Sequence, residues 1–228
     1  MKYKAIFFDL DNTLYDYKST HTIALEETLE AVQSDTKIPI SDLSDSYNKN
    51  RKSIHRELHG FGSSHSRLLY LQRMLEDCEL GYAHLLRYHS IYWDTFIENV
   101  KAFDGVEELF RKISGKIKVG IITDLTAEIQ FRKLISMKLL DKIDVIVTSE
   151  EAGNEKPHPY IFHLAERKMK ISKDHAVYFG DDFEKDVLGA TTFGMDCIWL
   201  NRTGTKQEIP LNCREISEFP QVFKLIEL

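Results

Sequence analysis

The chain is poor in the residues that mark several common protein classes. Its 228 residues include only three cysteines, Cys78, Cys197 and Cys213, and five prolines. The cysteine count is odd and no pair stands at metal-finger spacing. Neither feature points to a disulfide framework or a metal site, and buried or half-buried free thiols in a reducing compartment are expected. No apolar run approaches the ~20 residues that a membrane helix needs. Positive charge is in deficit, with 30 Lys and Arg against 36 Asp and Glu for a net charge of -6. That balance argues against nucleic acid and membrane surfaces as partners. Met1-Lys2-Tyr3-Lys4 runs straight into an apolar stretch and leaves no room for a secretory leader. The expectation is a cytoplasmic protein, and nothing in the pattern sets its oligomeric state.

What the chain has is enough apolar sequence, 43% of residues, to build a substantial core. Lys4 to Leu10 reads as a buried strand. From Tyr17 to about Val100 the period becomes helical: Ile23, Ala24, Glu27, Thr28 and Ala31 suit one amphipathic helix, and helices are expected near 41–58, 64–78 and 81–99. Ser19 or Thr20 is the expected cap of the first of these. "KIPI" and "HGFGSS" punctuate the block. After Val100 strands and helices alternate: "KIKVGIITD", "IDVIVTS", "HAVYFGDD" and "CIWLN" as strands, with Pro159 placed in a helical first turn and a weak helix at 217–227. Strands alternating with helices imply a parallel sheet covered on both faces. The fold expected is an α/β, Rossmann-like parallel sheet core, residues 1–14 and 101–228, with an all-helical cap inserted at 15–100.

Polar residues gather at the ends of those strands. "IFFDLDNTLYD" places Asp9 and Asp11 two positions apart, directly after an apolar run. Like charges that close repel, and taking either from water is costly, so something must compensate. Thr123 ends "IIT", Lys156 lies in "SEEAGNEKPHP", and Asp181, Asp182 and Asp186 follow "VYFG". In open α/β sheets, ligands bind beyond the carboxyl ends of the strands. A few hard oxygen ligands suit Mg²⁺, which would neutralise Asp9 and Asp181. Lys156 adds a second cation, and together these make a site for a dianion such as phosphate.

The order "DLDNT", "IIT", "EKP", "GDDFEKD" resembles the four motifs of the haloacid dehalogenase-like superfamily, over about 4–13 and 102–201. The helical insertion resembles that family's first cap class. The resemblance implies Asp9 as nucleophile, forming an aspartyl-phosphate, and Asp11 as the acid and then the base. It implies Thr123 and Lys156 on the phosphoryl oxygens, and Mg²⁺ held by Asp9, the Asp11 carbonyl and Asp181. Asp186 is preferred to Asp182 as the further acidic residue at the metal. An acid at position 11 argues for phosphoryl transfer, since dehalogenase members usually lack one there. One departure stands out. Many relatives carry Asn-Gly after the threonine, where this chain has Asp124-Leu125. An asparagine can donate to phosphate and an aspartate cannot. Asp124 is instead placed to cap the helix beginning near Thr126, or to accept from substrate.

Specificity is expected from the cap. "RKSIHRELHGFGSSHSR" reads in two ways: a loop carrying Phe61 into the crevice beside basic residues, or a solvated helix face with a turn. Tyr15, just after the nucleophile, is a further substrate-contact candidate. The function expected is Mg²⁺-dependent hydrolysis of a small phosphate ester, a nucleoside monophosphate or a sugar phosphate. A phosphomutase of the same fold and a non-catalytic phosphate-binding protein are the alternatives.

Overall fold

The computed structural model describes residues 2–225. The chain divides into two compact units, Met1–Asp16 with Lys101–Leu228, and Tyr17–Val100. Among the described residues no helix is long and apolar enough to cross a membrane.

The first unit is built on six strands: β1 (Ala5–Phe8), β2 (Lys118–Thr123), β3 (Val145–Thr148), β4 (Ala176–Gly180), β5 (Asp196–Leu200) and β6 (Cys213–Ile216). They form one sheet in the order β3-β2-β1-β4-β5-β6, with every pairing parallel. All four residues of β1 are fully buried, as a central strand covered on both faces requires. Phe7 faces a core that includes Ile122, Phe162 and Tyr178. Phe8, pointing the other way, stacks on Phe110 at 5.2 Å and meets Phe179 edge-on at 5.6 Å. The strand order reverses between β1 and β4, and a topological switch point of this kind opens a crevice at the strand ends.

Ten helices are present among the described residues. Those of the sheet unit are α5 (Val106–Ile113), α6 (Ala127–Ser136), the one-turn α7 (Ser149–Ala152), α8 (Pro159–Met169), α9 (Gly189–Phe193) and α10 (Val222–Leu225). Pro159 opens α8, and the His158 ring accepts from the Tyr160 N–H at 3.2 Å. α5 carries Glu107 and Glu108 in its first turn and Arg111 and Lys112 in its last, matching its dipole at both ends.

The second unit is all helical: α1 (Tyr17–Thr36), α2 (Ile40–Glu57), α3 (Arg67–Asp77) and α4 (Leu85–Asn99). Its core is Leu29, Val32, Leu43, Tyr47, Ile54, Tyr70, Leu71, Met74, Leu75 and Tyr88. α1 begins at Tyr17, so Ser19 and Thr20 lie inside its first turn and neither stands at the cap position expected of it. The helix expected from 64 begins at Arg67, because Gly62–His65 is a 3₁₀ turn and Ser66 caps α3 by accepting from the Leu69 N–H.

Two further differences arise in the last third of the chain. The stretch "EKDVLGATTFGM" is not one α-helix but a π-helical turn, Phe183–Leu188, followed by α9. β6 was not expected: it is a short edge strand with exposed Arg214 and Glu215, the charged composition that protects a sheet edge and hides its period. Of the helix expected at 217–227, a 3₁₀ turn at Phe219–Gln221 and the single turn of α10 form, and residues 226–228 lie outside the described residues.

Candidate active site

β1 and β4 carry the first carboxylates to the switch point. Asp9 leaves β1 with its N–H still donating to the Phe179 carbonyl at 2.9 Å, so its backbone is tied to β4. Asp181 follows β4 directly. Asp186 is returned to the same place by the π-helical turn, where the Asp182 carbonyl accepts from both the Asp186 N–H and the Val187 N–H. A π-turn inserted in a helix commonly marks a site where one side chain must be re-aimed. Gly180 makes the approach possible, because a Cβ there would lie 2.3 Å from Asp186 Oδ2.

Lys156 joins the carboxylates. Its Nζ donates to Asp9 Oδ1 at 2.6 Å and Asp186 Oδ1 at 2.7 Å, and lies 3.1 Å from the Tyr178 hydroxyl. Tyr178 in turn donates to Asp186 at 2.9 Å. Asp186 Oδ2 accepts the Asp182 N–H, and Thr13 donates to Asp181 at 3.0 Å. Burial alone would lower the Lys156 ammonium, but Asp186 and Asp9 outweigh it and hold the group well above its ordinary value. Burial pushes the Asp9 carboxyl up, Lys156 opposes it, and Asp186 and Asp181 add to the rise. Burial and then Asp186 push Asp181 up to about 7. One ammonium is too little positive charge for three converging carboxylates. Oxygens of Asp9, Asp181 and Asp186 lie within 4.8 Å of one another, a donor set that fits a hard divalent cation.

Asp11 faces a different partner. Lys133, fully buried on α6, donates to both of its oxygens, at 2.7 and 3.0 Å. The Tyr15 hydroxyl donates to Asp11 Oδ1 at 2.7 Å. Tyr15 is itself fully buried in the sheet unit, with its hydroxyl engaged on this carboxylate.

Thr123, at the end of β2, receives the Gln130 side-chain amide on its Oγ1 at 2.6 Å. Asp124 does not cap α6. Its Oδ1 accepts the Lys156 N–H at 3.0 Å and its Oδ2 pairs with Lys185 at 2.7 Å, which ties the β2 loop to the lysine loop. The first turn of α6 is served from elsewhere, with Glu150 accepting from the Ala127 N–H. Leu125 adopts φ 100°, the region where glycine is favoured, and is held there by burial and by Ser149, which accepts its N–H at 2.9 Å.

Asp182 caps the π-helical turn by accepting from the Lys185 N–H at 2.9 Å. In the helical unit Phe61 is 58% exposed, whereas Arg67 is buried against Tyr17, Tyr92 and Trp93. His55 likewise turns inward, 2.7 Å from the Tyr70 hydroxyl. The basic stretch is therefore not simply a solvated face.

Sequence reasoning missed Lys133, Gln130, Tyr178, Thr13 and Lys185. A signal existed for two of them. Gln130 and Lys133 stand three apart on α6, and both fall among its buried positions with Ile129 and Leu134. Two long polar side chains on a buried helix face require partners there.

The sequence model described as haloacid dehalogenase-like hydrolase matches residues 6–200. Among curated proteins, the chain is 32% identical over 200 residues to a ribulose-1,5-bisphosphate 5-phosphatase of Halopiger xanaduensis, covering 85% of this chain and 83% of that protein. It is 31% identical to a glyceraldehyde 3-phosphate phosphatase of Methanopyrus kandleri, covering 95% and 91%. Among solved structures, the HAD-hydrolase YfnB of Bacillus subtilis, bound to magnesium, shares the fold with a TM-score of 0.77 at 21% identity, over 100% of both chains. The chain belongs to the haloacid dehalogenase-like hydrolases. Within that family it is an enzyme of the phosphatase kind, a phosphoric monoester hydrolase.

Proposed function

We propose that the chain is a Mg²⁺-dependent phosphatase of a small phosphorylated sugar, working through an aspartyl-phosphate. The observation that carries this reading is the convergence of Asp9, Asp181 and Asp186 on one point, with Lys156 bridging the first and last. Asp9, Asp181 and Asp186, with the Asp11 backbone carbonyl, would hold the cation. When bound, it supplies positive charge against a phosphate dianion. The names of the relatives, phosphatases of a ribulose bisphosphate and of glyceraldehyde 3-phosphate, favour a sugar phosphate over a nucleotide.

The residues divide the work. An oxygen of Asp9 attacks phosphorus and the ester oxygen leaves. Asp11, paired with Lys133 here, gives that oxygen a proton taken up with the substrate, then takes a proton from the water that attacks the aspartyl-phosphate and releases inorganic phosphate. Lys156 lies against the nucleophile and stabilises charge developing on the phosphoryl oxygens. Thr123 donates to one of those oxygens. Position is central, since phosphate monoester hydrolysis is among the slowest uncatalysed reactions. The helical unit, Tyr17–Val100, is proposed as the cap that selects the sugar, with Phe61 as a contact candidate.

The test is phosphate release from an aryl phosphate and from sugar phosphates, with Mg²⁺ and with chelator, beside Asp9→Asn. Metal-dependent release lost in the variant supports the mechanism. An Asp9→Asn protein as active as wild type overturns it.

A further inference from the structure

Gln130 is fully buried on α6 and uses one atom twice. Its Nε2 lies 2.6 Å from Thr123 Oγ1 and 2.6 Å from the Asp124 carbonyl oxygen. The second contact fixes the amide's orientation. A backbone carbonyl can only accept, so the group facing it must be the NH₂ and not the amide oxygen. Turning the amide over would set two acceptors against each other. With the NH₂ placed, its other hydrogen points at Thr123 Oγ1, which must therefore accept.

A hydroxyl that accepts at its oxygen keeps its own hydrogen for another partner. Within the chain the contact that hydrogen has is the next residue's carbonyl, a long one at 3.3 Å. The arrangement also leaves Gln130 Oε1 buried with no partner. An unsatisfied buried acceptor is unfavourable, and in a native protein it calls for an explanation. An apolar residue would pack on this helix face without that penalty.

We propose that Gln130 is a positioning residue that holds the Thr123 hydroxyl as a hydrogen-bond donor directed at the phosphoryl group. The inference rests on the reading above, in which Thr123 meets a phosphoryl oxygen. It adds that the donor sense of the threonine is set before substrate arrives, by an amide whose own orientation is locked by the Asp124 carbonyl. Gln130 already occupies that carbonyl at 2.6 Å and leaves the threonine only the long 3.3 Å contact; without the amide the hydroxyl can close on the carbonyl and offer phosphate only lone pairs, which repel.

The test is a double-mutant cycle with inorganic phosphate as the probe. Binding is measured by calorimetry in the presence of Mg²⁺ for wild type, Gln130→Met, Thr123→Val and the double variant. Gln130→Met is expected to weaken phosphate binding by about tenfold, the scale of one charge-assisted hydrogen bond. In the Thr123→Val background the same change is expected to do nothing further, because the hydroxyl it orients is gone. Equal losses in both backgrounds, or no loss in either, overturn the proposal and leave Gln130 a packing residue. Thermal melts of all four proteins check folding. Should Gln130→Met fail to fold, Gln130→Glu keeps the shape but presents an acceptor to Thr123, and phosphate binding as tight as wild type would then overturn the idea. Binding is read without turnover, so the two readings separate. Non-additive binding without phosphate release from the sugar phosphates leaves the positioning role standing and removes the mechanism and substrate proposed above. Phosphate release with an additive cycle does the reverse.

Discussion

Lys133 and Asp11, 122 residues apart in sequence, form a two-pronged ion pair at 2.7 and 3.0 Å in which the lysine is wholly buried. With the Tyr15 hydroxyl on the same carboxylate, the pair fixes where the proposed acid stands relative to Asp9, the proposed nucleophile two residues before it. A buried ammonium without a counter-charge is strongly unfavourable, so the contact holds both partners. Lys133→Met is expected to lower kcat by about tenfold, a part of what acid–base catalysis supplies, with little change in KM. Steady-state kinetics on an aryl phosphate check this. An unchanged kcat would show that Asp11 needs no such support.

Gly180 sets a second geometric limit. A methyl group there would meet Asp186 Oδ2 at 2.3 Å and the Asp186 Cβ at 2.6 Å. Asp186 is fixed by Lys156, Tyr178 and the Asp182 N–H, so it cannot yield freely. Gly180→Ala is expected to destabilise the fold by about 1–3 kcal/mol, as overpacking does, and to weaken Mg²⁺ binding. Denaturant melts and metal titration measure the two effects separately.

Asp124 ties two loops together through its two oxygens, to the Lys156 N–H and to Lys185. Asp124→Asn retains an acceptor for the N–H and loses the charge facing Lys185, whereas Asp124→Ala loses both. The expected order of KM is wild type, then Asn, then Ala, with the alanine variant raised by about tenfold on the loss of a part-buried acceptor. Equal KM values for the three would detach Asp124 from the lysine loop's position.

The crowded carboxylates make stability depend on pH and metal together. Asp181 is pushed up to about 7 by burial and then by Asp186. A carboxyl whose folded value lies above its unfolded one binds a proton more readily when folded. Its contribution to stability is therefore present at acid pH and is lost as pH rises from about 4 through about 7. A divalent cation takes the proton's place. Mg²⁺ is expected to raise the melting temperature more at pH 8 than at pH 5, which a thermal-shift series with and without chelator reads directly. Equal shifts at the two pH values would place the metal elsewhere.

The sequence by itself determined the class of fold and the cluster of acids. The apolar runs of β1, β2 and β4 each end in a polar tip, and parallel strands bring such tips to one edge whatever the loops do. The convergence of Asp9, Lys156, Asp181 and Asp186 was legible because each stands at or just beyond a strand tip or in a loop that such tips bring to the same edge. Pro159 opening a helix was legible for a local reason. β6 was not, since its two exposed residues are charged and only its pairing with β5 makes it a strand.

Only the tertiary structure decided what surrounds those residues. Lys133 and Gln130 read as ordinary polar positions until α6 packs its face beneath Thr123 and Asp11. Asp124 read as a helix cap or as an acceptor from substrate, and in the structure two nitrogens from other segments claim its oxygens. Asp186 was expected near the metal on an ordinary helix, and it is a π-turn that brings it back over Gly180. The physical reason is common to all of these. Motif residues are specified by bonds along the chain, whereas a side chain's charge, aim and partners are set by burial and by groups that folding brings from elsewhere, Lys133 to Asp11 across 122 residues and Lys185 to Asp124 across 61.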